Sequence, residues 1–274
     1  MKSDQEWILW GRKDPLFAVA SWKGRDKDGP NPWSKAEFYS LGRSDWIDFS
    51  DRWSAYGFAK EHCLEIGCGA GRITSQLAET FLRVTATDVS LDQVQLARQS
   101  TPADKVNFLI TDGTKLPLPN ASISAVFSCH VFQHFNSTDD AARVFQEIYR
   151  VLIPRGSICI HLPLFELPSS PIRPFLRLLL QAWKQAGNFR AMIRRMRKVP
   201  LMRGLPYERT QMQKRLDALG FSQIETHGFC MRSDHAWHEV LFARKDSPSA
   251  IADKRMQLSS TVSRPTYLTH KLQE

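Results

Sequence analysis

Three glycines at alternate positions follow a short apolar run, and this stretch limits the possible folds more than any other. It reads Cys63-Leu64-Glu65-Ile66-Gly67-Cys68-Gly69-Ala70-Gly71-Arg72. The apolar run predicts a strand, and a helical pattern follows from about Arg72 to Phe81. Glycines between a strand and a helix let the main chain turn sharply and approach a ligand closely. The sequence therefore predicts a loop whose main chain holds a small molecule.

Strand-like and helix-like segments alternate from residue 61 to about residue 162. The predicted strands are His62–Gly67, Leu82–Asp88, Val106–Ile110, Ile123–Cys129 and Ser157–Leu162. Capping patterns at Ser90 and Ser137 begin two of the helices, and Pro154-Arg155-Gly156 is expected to end the second. A further helix over Glu208–Leu219 and two strands, near Ser222–Cys230 and Ala236–Ala243, follow. This order predicts an α/β, Rossmann-like fold with a seven-stranded, mostly parallel sheet and helices on both faces.

Three segments lie outside this alternation. Residues 1–60 are rich in aromatic side chains and are expected to cover the domain, which spans 61–245. Residues 163–206 carry prolines that argue against a strand, followed by two amphipathic helices, and are expected to form an inserted cap after the fifth strand. Residues 246–274 are polar and lack periodicity, which predicts a mobile tail.

Composition excludes several classes of protein. The 274 residues are 42% hydrophobic, enough for a substantial core, yet no apolar run approaches the roughly 18 residues typical of a membrane span. The first residues lack the charged-then-apolar plan of a secretion signal. Five cysteines with no CxxC pairing are typical of buried thiols in a reducing compartment. The expected location is cytoplasmic.

The predicted strand ends indicate where a ligand would bind. In an open parallel sheet, ligands lie beyond the carboxyl ends of the strands. Asp88 and Val89 follow the second strand, Asp112 and Gly113 the third, and residues 129–134 the fourth. Carboxylates at these positions can accept hydrogen bonds from ribose hydroxyls, so a nucleoside suits the site.

Four motifs in order resemble those of the class I S-adenosylmethionine-dependent methyltransferases, of the type 11 and ubiquinone-biosynthesis-methyltransferase-like kind. Glu65 with Gly67, Gly69 and Gly71 resembles the family's E/D-x-G-x-G-x-G motif. Arg72 stands where a dinucleotide fingerprint places a small residue. The other three motifs are Asp88-Val89-Ser90, the stretch from Thr111 to Ser122 that includes Leu116-Pro117-Leu118-Pro119, and Arg150-Val151-Leu152-Ile153-Pro154-Arg155-Gly156. Ser124-Ala125 and Arg155 depart from the pattern and put the subfamily in doubt.

The resemblance implies that S-adenosylmethionine (SAM) is the cofactor and S-adenosylhomocysteine the product. The loop over 67–71 would back the methionine part, Asp88 would hold the ribose, and Asp112 with Gly113 the adenine edge. The implied cofactor-binding residues are Glu65, Gly67, Cys68, Gly69, Gly71, Asp88, Val89, Asp112, Gly113 and Cys129. Alternatively, Asp88 and Asp112 cap the turn or helix that follows them.

Methyl transfer to an oxygen acceptor would need a general base, and histidine suits that task. His134 and His130 follow the fourth strand and are the candidate catalytic bases; His161 lies near the end of the fifth. A structural role for each is equally open. No metal ligands are predicted, because no cluster has convincing metal-ligand spacing.

The acceptor is not determined by the motifs. Residues 171–207 hold nine basic and no acidic residues, equal to the whole formal net charge of +9. The basic residues would suit an acidic acceptor, a membrane surface or RNA, and an apolar helix body there favours a lipid-like acceptor or membrane contact over RNA. A solvated basic face, RNA methylation and a catalytically inactive binding or scaffold protein remain alternatives. The sequence leaves the oligomeric state open.

Overall fold

A computed structural model describes residues 3–166 and 204–247. Three helices come first: α1 (Ser3–Lys13), α2 (Pro15–Val19) and α3 (Lys35–Tyr56). The next elements are β1 (His62–Ile66), α4 (Thr74–Thr80), β2 (Arg83–Asp88), α5 (Leu91–Arg98), β3 (Val106–Ile110), β4 (Ile123–Ser128), a 3-10 turn (Phe132–His134), α6 (Thr138–Val151) and β5 (Leu152–His161). Then come β6 (Leu164–Phe165), β7 (Tyr207–Glu208), α7 (Arg209–Leu219), β8 (Phe221–Cys230) and β9 (Trp237–Lys245).

Seven strands form one sheet in the order β3-β2-β1-β4-β5-β9-β8. The first five are parallel, and β9 runs antiparallel to both β5 and β8. Because the chain reverses its direction of travel across the sheet between β1 and β4, a crevice opens beyond their carboxyl ends. The predicted Rossmann-like, mostly parallel sheet is confirmed.

The two faces of the sheet carry separate cores. Successive side chains of a strand point to opposite faces. Cys63 accordingly packs with α3, α4 and α5, whereas Leu64 packs with α6 and α7. In α6, an apolar stripe at helical spacing is fully buried: Ala141, Val144, Phe145, Ile148 and Val151. The sheet is therefore covered on both sides, and its strand ends keep a fixed register.

The aromatic N-terminal segment folds as helices against the sheet. On α3, Phe38, Trp46, Phe49 and Trp53 are buried at helical spacing, and Trp53 Nε1 donates to Ser157 Oγ at 3.1 Å. Gly42 allows a close approach, since a Cβ there would lie 2.1 Å from the Arg72 carbonyl oxygen. Helix α3 is thus held directly against the residues that follow the glycine loop.

The structure differs from the predicted elements between α6 and β7. Strand β5 begins at Leu152, so Pro154-Arg155-Gly156 lies inside a strand in which Arg155 adopts a φ of 66°. The prolines argued against a strand after residue 163, yet β6 pairs with β7 there. Pro163 lies just before β6 and needs no N–H, while its carbonyl accepts from Tyr207 N at 2.9 Å.

The predicted cap helices between 167 and 203 and the tail from 248 onward lie outside the described residues. Within residues 3–166 and 204–247, no helix combines the length and the apolar character that crossing a membrane requires.

Candidate active site

A cavity of about 1430 Å³ lies beyond the carboxyl ends of β1 to β4. Gly67, Asp88, Asp112 and Cys129 line it, and each follows one of these strands or ends it. The N-terminal helices and the turn before β9 close the other sides, contributing Ser3, Trp7, Val19, Trp22, Asp45, Met231 and Asp234. The predicted strand-end residues are therefore brought together around one space.

The glycine loop leaves β1 along the wall of this cavity. Gly67 N and Cys68 N both donate to Thr87 O, at 2.7 and 3.0 Å, which ties the loop to the end of β2. Gly67 has a φ of 74°, and a Cβ there would lie 2.2 Å from Val131 Cγ2. A side chain at this position would be both strained and crowded.

The predicted cofactor residues of the loop divide into two groups. Gly67 and Gly69 line the cavity. Cys68 is buried, and Gly71 faces α5, where a Cβ would lie 2.9 Å from Ala97 Cβ. Gly71 thus permits close helix packing, whereas a Cβ at Gly67 or Gly69 would meet Val131 or Val19 at the cavity wall.

The two predicted aspartates also shape the backbone. Asp88 Oδ2 accepts from Gly69 N at 2.8 Å, and its Oδ1 accepts from Ser90 N at 2.9 Å. Burial raises the pKa of Asp88. Asp112 accepts from the backbone N–H groups of Thr114 and Lys115, which lowers its pKa. Both carboxylates line the cavity beside Val89 and Gly113, so the capping and ligand-facing roles coexist.

Glu65 lies beneath the loop and not in the cavity wall. Its carboxylate is 4% exposed and accepts from Thr74 Oγ1 at 2.6 Å. Burial raises its pKa to about 7, although the Thr74 hydrogen bond opposes the shift. Glu65 therefore connects β1 to α4, and any contact with a cofactor would be indirect.

The residues after β4 supply the opposite wall. Cys129, His130 and His134 all line the cavity. His130 adopts a φ of 58°, and its ring centroid lies 4.3 Å from that of His161. The ring of His134 lies against Trp7, with centroids 4.6 Å apart, and its Nε2 is 3.2 Å from Gln133 Nε2. Both candidate bases are therefore close to the space that an acceptor would occupy.

A chain of hydrogen bonds continues behind His130. His130 N lies 3.3 Å from His161 Nδ1, His161 Nε2 lies 2.9 Å from His238 Nδ1, and His238 Nε2 lies 3.0 Å from Asp234 Oδ2. Burial lowers the pKa of His161 to about 3 and holds that of His130 well below its usual value. Both imidazoles are consequently neutral near pH 7.

A buried ion pair joins the N-terminal helices to the glycine loop. Arg72 Nη1 donates to Asp45 Oδ2, and both side chains are almost fully buried at the cavity wall. Sequence reasoning noted Arg72 only as a departure from a fingerprint and gave no signal for Asp45. It also gave none for Trp7, Val19 or Asp234, because contacts between distant segments place them at the site.

Comparison with known proteins defines the class of this domain. Residues 64–160 match the family described as methyltransferase domain. O-methyltransferase cnsE of Penicillium expansum is 32% identical over 105 residues, which are 36% of this chain and 37% of that protein. Malonyl-[acyl-carrier protein] O-methyltransferase of Serratia marcescens is 32% identical over 130 residues, 47% of this chain and 46% of that protein. The chain thus spans less than half the length of these curated relatives.

Solved structures share the fold at lower identity. Magnesium protoporphyrin IX methyltransferase of Synechocystis PCC 6803, with bound S-adenosylhomocysteine, superposes with a TM-score of 0.56 at 18% identity, covering 88% of this chain and all of that one. The [4+2]-cyclase SpnF gives a TM-score of 0.57 at 16% identity, covering 89% and 96%. These structures show the fold, and the family match identifies residues 64–160 as a methyltransferase domain.

Proposed function

We propose that the protein binds SAM at the glycine loop and transfers its methyl group to an oxygen atom of a small or lipid-like acceptor. The observation that carries this proposal is the single cavity that reaches from Gly67 and Asp88 to His130 and His134. Its volume of about 1430 Å³ exceeds the roughly 300–1,000 Å³ of an ordinary ligand pocket, so it has room for a donor and an acceptor together.

The glycine loop and the two carboxylates support SAM binding at one end of the cavity. Gly67 and Gly69 expose main chain, and Asp88 and Asp112 lie one and two strands away, as hydroxyl and amino groups of a nucleoside require. The bound S-adenosylhomocysteine of the Synechocystis enzyme and the family match support the same cofactor here.

The proposal that the acceptor atom is oxygen rests on the histidines at the other end of the cavity. Methyl transfer from a sulfonium is an in-line displacement in which the enzyme mainly aligns the acceptor with the methyl–sulfur bond. A hydroxyl acceptor must also lose a proton, and a neutral imidazole can take it. His134 and His130 are the candidate bases, and the O-methyltransferases among the relatives favour the same acceptor atom.

The decisive experiment measures binding and turnover separately. Calorimetry with SAM and with S-adenosylhomocysteine tests the cofactor end, and each is expected to bind at one site. Release of S-adenosylhomocysteine is then followed with matched acceptor pairs that carry a hydroxyl or an amine on the same skeleton, and only the hydroxyl member is expected to react.

The histidines are tested in the same assay. His134→Gln or His130→Gln is expected to lower kcat by about 100-fold with SAM affinity unchanged, and His227→Gln, at a half-buried position on β8 outside the cavity, is the matched control. Failure to bind SAM would overturn the whole proposal. SAM binding with no methylation of any acceptor would instead favour a fold relative with another activity, as in the cyclase.

A further inference from the structure

Among the described residues, one group of three side chains is arranged like the ligands of a metal ion. Cys129, His130 and His161 each offer a ligand atom, and these three atoms lie within 4.8 Å of one another. We propose that they form a binding site for a soft divalent cation of the Zn²⁺ type. The site requires only the cation, so its existence does not depend on methyl transfer.

The donor set fits this class of metal. One thiolate and two imidazoles are ligands that Zn²⁺ prefers, whereas Mg²⁺ and Ca²⁺ prefer oxygen. Catalytic zinc sites have three protein ligands and a fourth position that is open to substrate or water. Cys129 and His130 both line the cavity, so the fourth position would face the space assigned to the acceptor.

The hydrogen-bond chain behind His161 fixes where its lone pair points. Asp234 can only accept, so His238 Nε2 donates to it at 3.0 Å and His238 Nδ1 is left as an acceptor. His161 Nε2 therefore donates to His238 Nδ1 at 2.9 Å, and His161 Nδ1 carries the lone pair. Its partner in the structure is the His130 backbone N–H at 3.3 Å, a long hydrogen bond that a metal ion would replace.

The hydrogen bonds that link His161, His238 and Asp234 resemble those that surround the ligands of known metal sites. A histidine that binds a metal usually donates its other ring N–H to a carboxylate or a second acceptor, which fixes the tautomer and the ring orientation. His238 and Asp234 supply that support for His161, although His161 and His238 are 77 residues apart in sequence. The φ of 58° at His130 brings its ring within 4.3 Å of the His161 ring, between centroids.

If the proposed function holds, the cation would bind the acceptor oxygen and lower the pKa of its hydroxyl group, since bound metal ions act in this way on water. His130 would then be a ligand of the cation, which leaves His134 as the base. That role rests on the proposed function. Cation binding is measured without SAM or acceptor, so failure of one proposal does not imply failure of the other.

The experiment uses the full chain, stripped with a chelator. Zn²⁺ affinity is measured by competition with a chromophoric chelator, and Co²⁺ is added in a second sample as a spectroscopic probe. We expect one equivalent of metal per chain and a thiolate-to-cobalt charge-transfer band. Cys129→Ser is expected to abolish that band and to weaken Zn²⁺ binding by more than about 100-fold, and His238→Gln by about tenfold.

Two matched variants control for other thiols and histidines. Cys230→Ser removes an exposed cysteine and His227→Gln a histidine that pairs with Glu225, and both should bind metal as the parent does. Near-ultraviolet circular dichroism checks that each variant is folded; if Cys129→Ser is not, His161→Gln takes its place. Less than one equivalent bound, or equal affinity in Cys129→Ser and Cys230→Ser, would overturn the proposal.

Discussion

The two halves of the cavity are built in different ways. The glycine half consists of Gly67, Gly69, Asp88 and Asp112, and it is made mainly by backbone within successive strand–helix–strand units. Its hydrogen bonds are short in sequence: Asp88 Oδ2 and Gly69 N are 19 residues apart, and Thr111 N and Asp88 O are 23 apart. The histidine half consists of Cys129, His130, His161, His238 and Asp234. Its hydrogen bonds join residues 31 and 77 apart: His130 N donates to the His161 ring, and the His161 ring donates to the His238 ring.

This difference has a physical origin. A tight turn after a strand needs glycine whatever surrounds it, because the required φ is unfavourable for other residues. A histidine acquires its tautomer and its pKa only from partners that folding brings beside it. The glycine half should therefore respond to backbone changes, and the histidine half to the loss of long-range contacts.

The largest expected effect is on the glycine half. Gly67→Ala places a Cβ 2.2 Å from Val131 Cγ2 at a φ of 74°. We expect SAM affinity to fall by more than about 100-fold, or about 2.7 kcal/mol, measured by calorimetry. Gly204→Ala is the control, since no atom of the described residues lies within 4 Å of a Cβ there. The double variant Gly67→Ala/Val131→Ala relieves the contact but not the φ; full recovery of affinity would show that backbone conformation is not the limit.

The second-largest expected effect concerns a residue that supports the histidine half. Asp48 is buried on α3, and its carboxylate accepts from Arg232 N at 2.9 Å and Arg232 Nε at 2.8 Å, which holds the turn that carries Asp234. We expect Asp48→Ala to lower the free energy of unfolding by about 2–3 kcal/mol in chemical denaturation. Hydrogen exchange over 231–236 should accelerate, while SAM affinity changes less than about threefold.

Asp51→Ala is the matched control, because Asp51 is exposed on the same helix and should leave both measurements unchanged. A large loss of SAM affinity in Asp48→Ala would mean that the two halves are coupled and not independently built.

The smallest effect concerns Glu65 beneath the glycine loop. Its pKa is raised from an ordinary 4.5 to about 7, so between these values the folded chain keeps a proton that the unfolded chain has released. Stability is therefore greatest at the acid end of this window and falls as pH rises toward 7. We expect Glu65→Gln, which can still accept from Thr74, to remove about 1–2 kcal/mol of this pH dependence in urea denaturation from pH 5 to pH 8.

Exposed Glu79 on α4 provides the comparison, and Glu79→Gln should keep the parent's pH dependence. An unchanged profile in Glu65→Gln would show that this carboxyl is already ionised in the folded state at neutral pH.

Much of the sheet could be predicted because its signals are local. The predicted Val106–Ile110 strand matches β3, and Ser90 and Ser137 cap α5 and α6 through side-chain bonds to Gln93 N and Asp140 N. The start of β5 was wrong, because Arg155 lies in an irregular stretch between the pairs Ile123–Leu152 and Ala125–Ser157, where a φ of 66° does not interrupt the pairing. In the first 60 residues the signal in the sequence was an aromatic composition, and this did not predict the helices that form there.

The sequence by itself determined the glycine loop, the order of strands and helices in the seven-stranded sheet, and the edge of that sheet where Asp88, Asp112 and Cys129 would meet. It did so because turn chemistry, capping and hydrophobic periodicity act over a few residues. Only the tertiary structure decided that His161, His238 and Asp234 form a hydrogen-bonded chain behind His130, and that Asp45 meets Arg72 at the cavity wall. Those contacts depend on strand register and helix packing, which no short stretch of sequence encodes.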